Sequence, residues 1–156
     1  MQNFTTLGFE KMKTPEHVFK PLAEFYEKNK DKQRKEDKES GDTTNNYWES
    51  PSYLLDTARV DLIGGGDELL QQPLLKEVGQ LLTKWFNIPL KYSMMYGIRI
   101  YTDGSILNPH VDDLPRIASA IINIAQSDDC EDWPLEVIGH DGLAYNITME
   151  PGVCTL

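Results

Sequence analysis

The sequence predicts an α+β fold in which helices come first and a sheet follows. Two segments within 1–90 repeat apolar residues at helical spacing, whereas the segment 91–156 alternates short apolar runs with turn signals. A chain of 156 residues is long enough to bury a core as a single domain. We therefore expect one structural domain, with a helical support region over 1–90 and a sheet-forming core over 91–156.

The first helix is predicted to begin with Thr14 as N-cap and Pro15 at the first helical position. A kink is expected at Pro21. The stretch 27–39 is rich in Lys, Asp and Glu, which indicates a solvated helix end or a mobile loop, and 40–46 has the composition of a linker. The apolar face of this helix consists of Val18, Leu22, Phe25 and Tyr26.

The second helix follows the glycine triplet 64–66, with Asp67 as its predicted N-cap. The triplet lacks the spacing and the Lys-Ser/Thr pair of a phosphate-binding loop, so we interpret it as a turn. One face of the helix carries the core residues Leu70, Leu74, Val78, Leu81, Leu82, Trp85 and Phe86.

Short strands separated by turns are predicted in the last third of the chain. The turn signals are Asp103-Gly104, Asp141-Gly142 and Pro151-Gly152. Such spacing is typical of an antiparallel sandwich or a jelly roll. The predicted strands are 92–102, 116–126, 133–140, 144–149 and 153–156.

The charge is concentrated in the C-terminal part. The net charge of the whole chain is -10. From residue 103 onward the chain has ten acidic residues and one basic residue, Arg116, so this part carries most of that charge. A nucleic-acid-binding surface would have the opposite sign, so we expect no nucleic-acid partner.

The lack of a recognisable secretory signal and the spacing of the two cysteines indicate a reducing compartment. No run of eighteen apolar residues and no secretory signal is found, so we expect a cytoplasmic protein without a membrane partner. Cys130 and Cys154 lack the spacing of a metal motif, and free thiols are favoured over a disulfide.

The most informative residues are His110 and Asp112. In an extended segment, side chains at i and i+2 project from the same face, so an imidazole and a carboxylate can approach one cation together. These are two of the three ligands of the facial triad that holds non-haem Fe(II) in oxygenases. On the residues alone, a surface histidine followed by a turn-forming aspartate is an equally good interpretation.

A series of ordered motifs resembles the prolyl 4-hydroxylase-like branch of the Fe(II)/2-oxoglutarate-dependent dioxygenases. The resemblance begins with Arg99, Tyr101, Gly104, Leu107, His110 and Asp112, and it continues through 117–124, 133–137, 140–142 and 150–152. It covers about 92–156 in detail and the N-terminal helices more loosely. The fold that it implies is a double-stranded β-helix, or jelly roll, preceded by helices.

The resemblance also implies roles for individual residues. His110 and Asp112 match the first two iron ligands, and Tyr101 matches a tyrosine whose hydroxyl helps to hold 2-oxoglutarate. Ser119 and Asn123 match pocket positions of the neighbouring strand, with a role in cofactor binding. Asp113 and Arg116 are candidates for contacting the substrate, although both also fit ordinary surface charges.

The sequence departs from the family pattern after Gly152. The distal histidine ligand and the basic residue that pairs with 2-oxoglutarate are not found, so we expect a C-terminally truncated jelly roll that lacks its last strands. Such a fragment should bind Fe(II) weakly and be inactive. His140 is the one later histidine and matches a hairpin turn of the family, and His17 is expected to be structural or exposed.

The function that the resemblance implies is hydroxylation of a C–H bond. The cofactors would be Fe(II), 2-oxoglutarate and O2, with ascorbate as an optional one, and the substrate a peptidyl proline, another side chain or a small molecule. Two alternatives are a non-catalytic acidic β-sandwich that mediates interactions and a cupin-like metal enzyme that does not use 2-oxoglutarate.

Overall fold

A computed structural model of the chain describes residues 4–35, 48–49, 52–55, 68–91, 95, 97–112 and 116–156. Within these residues it has two α-helices, a short 3-10 helix and ten short β-strands. Every strand pair is antiparallel. The predicted α+β class is therefore confirmed at this level. The jelly roll stays a prediction, because the described strands form four separate small sheets.

Both predicted helices are present. Helix α1 spans Glu16–Asn29 and continues through Pro21, and helix α2 spans Glu68–Phe86. Helix α2 ends where Asn87 adopts a positive φ of 55°, a left-handed conformation that asparagine tolerates at a helix C-terminus. The predicted N-cap Asp67 lies outside the described residues. Within the described part of the chain, no helix has the length and hydropathy that a membrane span requires.

The two helices pack together through an apolar cluster. Val18 and Leu22 on α1 and Leu74 on α2 are buried, at positions that the helical spacing predicted. Outside this cluster, the exposed His17 in the first turn of α1 approaches Glu77 of α2, with 3.1 Å between Nε2 and Oε2. Partly buried residues that complete the cluster are Val78, Met95, Ile122 and Ile124.

The predicted cap of α1 is wrong in its details. Pro15, not Thr14, occupies the N-cap position, with ψ of 138°, and it provides no side-chain cap. Thr14 is instead part of the strand connection that precedes the helix, because its backbone N–H donates to the carbonyl of Gly152 at 2.8 Å. Its side chain is buried there, and its hydroxyl has no hydrogen-bond partner among the described residues, so it does not bond to the first helical N–H groups as an N-cap does.

The strands form two three-stranded and two two-stranded sheets. Their orders are β1-β10-β7, β2-β4-β5, β3-β6 and β8-β9. The three-stranded sheets and the β3-β6 pair join strands from 1–90 to strands from 91–156. The strands are β1 (Lys11–Lys13), β2 (Arg34–Lys35), β3 (Trp48–Glu49), β4 (Ser52–Leu55), β5 (Ile98–Tyr101), β6 (Ile106–Leu107), β7 (Ile121–Ile122), β8 (Leu135–Ile138), β9 (Ala144–Ile147) and β10 (Val153–Thr155).

Three expectations about the strands need correction. The charged stretch 27–39 was expected to be a solvated end or loop, but it contributes β2, whose Arg34 and Lys35 pair with Leu54 and Tyr53 of β4. Charged residues suit such a strand because it lies at the edge of its sheet. The strand expected over 116–126 is reduced to the two residues of β7, and β1 had no counterpart among the predicted elements.

The predicted turns are confirmed. At Pro151-Gly152, the N–H of Val153 donates to the carbonyl of Glu150 at 2.9 Å, and Gly152 has φ of 89°. Proline followed by a residue with positive φ is the signature of a type II turn. The turn at Asp103-Gly104 brings β6 directly after β5, and so it positions the segment that carries His110.

Candidate functional site

The segment 108–112 follows β6 without regular secondary structure and lies at the surface. His110 and Asp112 are both exposed, and Val111 between them is 85% exposed. Both side chains can therefore be reached from solvent. A large exposed valine, by contrast, contributes nothing to the core.

The tautomer of His110 is set by its own backbone. Nδ1 lies 2.8 Å from the carbonyl oxygen of Asn108. A carbonyl oxygen accepts and never donates, so Nδ1 carries the proton, and in the neutral ring the lone pair belongs to Nε2. A backbone carbonyl on one ring nitrogen is the usual arrangement when the other nitrogen binds a metal.

The carboxylate of Asp112 is oriented by Ser119. The Ser119 hydroxyl donates to Oδ2 of Asp112 at 2.5 Å. An ionised carboxylate has about four lone-pair sites, so one hydrogen bond leaves acceptor capacity for a cation. The structure thus connects two of the predicted site residues, with Ser119 as the partner of a predicted metal ligand.

Tyr101, at the end of β5, is surrounded by polarisable groups. Its hydroxyl oxygen accepts a long hydrogen bond of 3.4 Å from Arg99, whose guanidinium lies 5.9 Å from the ring centroid. The ring of Trp133 meets it edge-on, with 5.0 Å between centroids. These contacts fix the tyrosine ring, and the contact with Trp133 is one that sequence reasoning missed.

The other predicted site residues have more varied surroundings. The amide of Asn123 donates to the carbonyl of Met149, and its backbone pairs with Gly152 and Val153. Its side chain therefore holds the connection to β10. Arg116 is half-buried, and Asp113 lies outside the described residues.

A third metal ligand is not supplied by the described residues. Within them, no group of three or more His, Cys, Asp or Glu side chains is placed to hold one metal ion. His17 approaches Glu77 on the helices, and His140 lies in the turn between β8 and β9. The predicted ligands His110 and Asp112 therefore amount to one nitrogen donor and one oxygen donor.

His140 attaches its hairpin to the N-terminal segment. Its Nδ1 donates to the carbonyl of Thr5 at 3.0 Å, and its backbone N–H donates to the carbonyl of Leu7 at 2.9 Å. Gly8 has φ of +87°, and a Cβ built on it would lie 2.8 Å from the His140 ring. The ring therefore occupies the space that the missing side chain leaves.

The same hairpin contains a second hydrogen-bonded pair. The hydroxyl of Tyr145 donates to Oδ2 of Asp141 at 2.6 Å, and the N–H of Leu143 donates to Oδ1 at 3.0 Å. The tyrosine hydroxyl, followed by this N–H group, lowers the pKa of Asp141 below its ordinary value. The same hydrogen bond raises the pKa of Tyr145.

The cysteines are free thiols, as expected. Cys130 is exposed and Cys154 is buried on β10. Burial raises the pKa of the Cys154 thiol to about 11, so this thiol is protonated at neutral pH and is a poor metal ligand or nucleophile.

Contacts such as those of Ser119 with Asp112 and of Trp133 with Tyr101 join residues that are separated in sequence. No local spacing signal identifies such pairs. The carbonyl of Asn108 is different, because it lies only two residues before His110 in the sequence. Comparisons of the chain with protein-family models, with curated proteins and with solved structures gave no match.

Proposed function

We propose that this chain provides the first two iron ligands and part of the cofactor site of an Fe(II)/2-oxoglutarate-dependent dioxygenase resembling prolyl 4-hydroxylases. The observation that carries the proposal is the His110-x-Asp112 pair with a hydrogen-bond partner on each side chain. A histidine with its Nδ1 on a carbonyl and a carboxylate held by a hydroxyl is the surrounding that metal ligands typically have. The proposal includes a jelly-roll core over 91–156.

In this proposal the residues of the chain bind the metal ion and orient 2-oxoglutarate. His110 offers Nε2 and Asp112 offers a carboxylate oxygen, while Tyr101 directs its hydroxyl, which already accepts from Arg99, towards 2-oxoglutarate. When bound, Fe(II), 2-oxoglutarate and O2 supply hydroxylation of a C–H bond coupled to decarboxylation of 2-oxoglutarate to succinate. Ascorbate is an optional reductant, and Asp113 and Arg116 stay candidates for the substrate contact.

The test is anaerobic titration of the chain with Fe(II), followed by calorimetry. We expect weak binding, because two protein ligands are available, and we expect His110→Ala and Asp112→Ala each to abolish it. His17→Ala is the matched control, since it removes an equally exposed imidazole that is on the helices and should leave the affinity unchanged. Fe(II) binding that both ligand variants retain would overturn the proposal.

Addition of 2-oxoglutarate distinguishes the alternatives. A dioxygenase site binds Fe(II) more tightly when 2-oxoglutarate is present, and Tyr101→Phe should reduce that gain. A cupin-like enzyme binds the metal with no effect of 2-oxoglutarate, and a non-catalytic β-sandwich binds neither. Fe(II)-dependent release of succinate is the measurement of the reaction itself, and we expect none from this chain, because its described residues offer two protein ligands.

A further inference from the structure

The hairpin formed by β8 and β9 presents an exposed face that is independent of the proposed metal site. Strand register places Glu136 opposite Asn146 and Ile138 opposite Ala144, and all four are exposed. The other face of the hairpin, with Leu135, Val137, Tyr145 and Ile147, is half-buried or buried. Ile138 is 65% exposed, more than Ile106 on β6 or Ile121 on β7.

The backbone of the same two residues faces the outer edge of β8, where the next outward-facing N–H, that of His140, already donates to the carbonyl of Leu7. The N–H of Gly139 donates to the carbonyl of Leu143, which makes these residues a hydrogen-bonded pair of the ladder. Such pairs alternate along an antiparallel ladder, so Val137 bonds to β9 whereas Glu136 and Ile138 direct their N–H and C=O groups away from it. Among the described strands, β8 pairs with β9 alone. An unpaired strand edge is a template for another strand.

The charges around this edge define its partner. The described segment 128–141 has six acidic residues and no lysine or arginine. Glu136 forms no ion pair with any described residue. A second copy of the chain would bring the same net charge of -10, so self-pairing is opposed by repulsion.

We propose that the outer edge of β8 binds an extended segment of a partner protein in which basic and apolar residues alternate. The segment adds a third strand to the hairpin and exchanges backbone hydrogen bonds with Glu136 and Ile138. Side chains of an added strand lie about 5 Å from those of its neighbour on the same face. A lysine or arginine then lies beside Glu136 and an apolar residue beside Ile138, at the shared two-residue period.

The test uses three fluorescently labelled seven-residue peptides and measures their anisotropy with the whole chain. One alternates lysine with valine, one lysine with serine, and one glutamate with valine. We expect the lysine–valine peptide to bind at least about tenfold more tightly than either of the others. Equal affinity for the lysine–serine peptide would reduce the interaction to net charge and would overturn the proposal.

Two charge reversals make the test specific to the strand. Glu136→Lys should weaken binding of the lysine–valine peptide by about tenfold or more, because it puts like charges side by side. Asp129→Lys changes the net charge equally but lies outside the strands, and it should weaken binding by less than about threefold. Equal losses in both variants, or dimerisation of the free chain in sedimentation, would contradict the assignment.

Discussion

His110 and His140 are both exposed and both donate from Nδ1 to a backbone carbonyl, yet their surroundings differ. The acceptor for His110 is two residues away in sequence, whereas the acceptor for His140 is 135 residues away. His140 also packs its ring against Gly8. The long-range contact of His140 joins two distant segments, which indicates a structural residue. The local hydrogen bond of His110 orients its ring, as the proposed role of a metal ligand requires.

Among the variants that test this difference, Gly8→Ala is expected to change the free energy of unfolding most. An alanine at position 8 would have to adopt φ of +87°, which strains an L-residue. Its Cβ would also lie 2.8 Å from the His140 ring, so the contact between residue 8 and this ring must open. We expect a loss of about 2 kcal/mol in the free energy of unfolding, measured with urea.

Gly79→Ala is the matched control for that variant. Gly79 lies inside α2, and a Cβ there would meet nothing within 4 Å. Alanine is the better helix former, so this variant should gain up to about 1 kcal/mol. Losses of equal size in the two variants would show that the His140–Gly8 contact has no special role.

Replacing each of the two histidines with alanine, one at a time, separates their roles. His140→Ala should lower the free energy of unfolding by about 1–2 kcal/mol, because the carbonyl of Thr5 loses its donor and the ring leaves a gap over Gly8. His110→Ala should change it by less than about 0.5 kcal/mol. Fe(II) binding should respond in the opposite way, with His110→Ala alone abolishing it. Loss of binding in His140→Ala would instead make His140 the third ligand.

Ser119→Ala sharpens the role of the segment around His110. The variant removes the 2.5 Å hydrogen bond that orients Asp112, while Ser119 itself is exposed. We expect the affinity for Fe(II) to fall by about tenfold, as for other residues that orient metal ligands. The unfolding curve should hardly move, and an unchanged affinity would mean that the hydrogen bond does not orient a metal ligand.

Tyr145→Phe gives the smallest effect and tests the hairpin that carries His140. The hydrogen bond from Tyr145 lowers the pKa of Asp141 in the folded chain, so its stabilisation is present above the unfolded pKa and is lost as pH falls through the folded pKa. The native chain should therefore be more stable than the variant at neutral pH, and the difference should shrink between about pH 5 and pH 2.

The lowered pKa of Glu150 also makes stability depend on pH, but it does so equally in the native chain and in Tyr145→Phe. The pKa of Glu150 is lowered mainly by the hydrogen bond that its carboxylate accepts from Lys11, and this contact is the same in both proteins. A difference between the two chains that stays constant down to pH 2 would contradict the assignment to Asp141.

The helices and turns could be predicted because their signals are local. The apolar spacing of α1 and α2 specifies one face of each helix, and Pro151-Gly152 specifies a type II turn without reference to the rest of the chain. The strands at Lys11–Lys13 and Arg34–Lys35 could not be predicted, because all their residues except Met12 are charged and both strands pair with distant ones. Strand formation there depends on the partner more than on propensity.

In the candidate site, too, the local features could be predicted and the contacts between separate segments could not. His110 and Asp112 could be proposed from a two-residue spacing, and the tautomer of His110 depends on a carbonyl two residues away. The role of Ser119 as partner of Asp112 and the contact of Trp133 with Tyr101 depend on how segments meet in space. Asn123 stays a predicted residue of the cofactor pocket, and its amide donates to the carbonyl of Met149.

The position of β10 between β1 and β7 has a consequence for the order of events during synthesis. Residues of β1 leave the ribosome early, but their partners Val153, Cys154 and Thr155 are made more than a hundred residues later. An apolar strand left without a partner for so long would be prone to pair with other nascent chains. Lys11 and Lys13 place a positive charge at two of its three positions, which keeps the strand hydrated until β10 arrives.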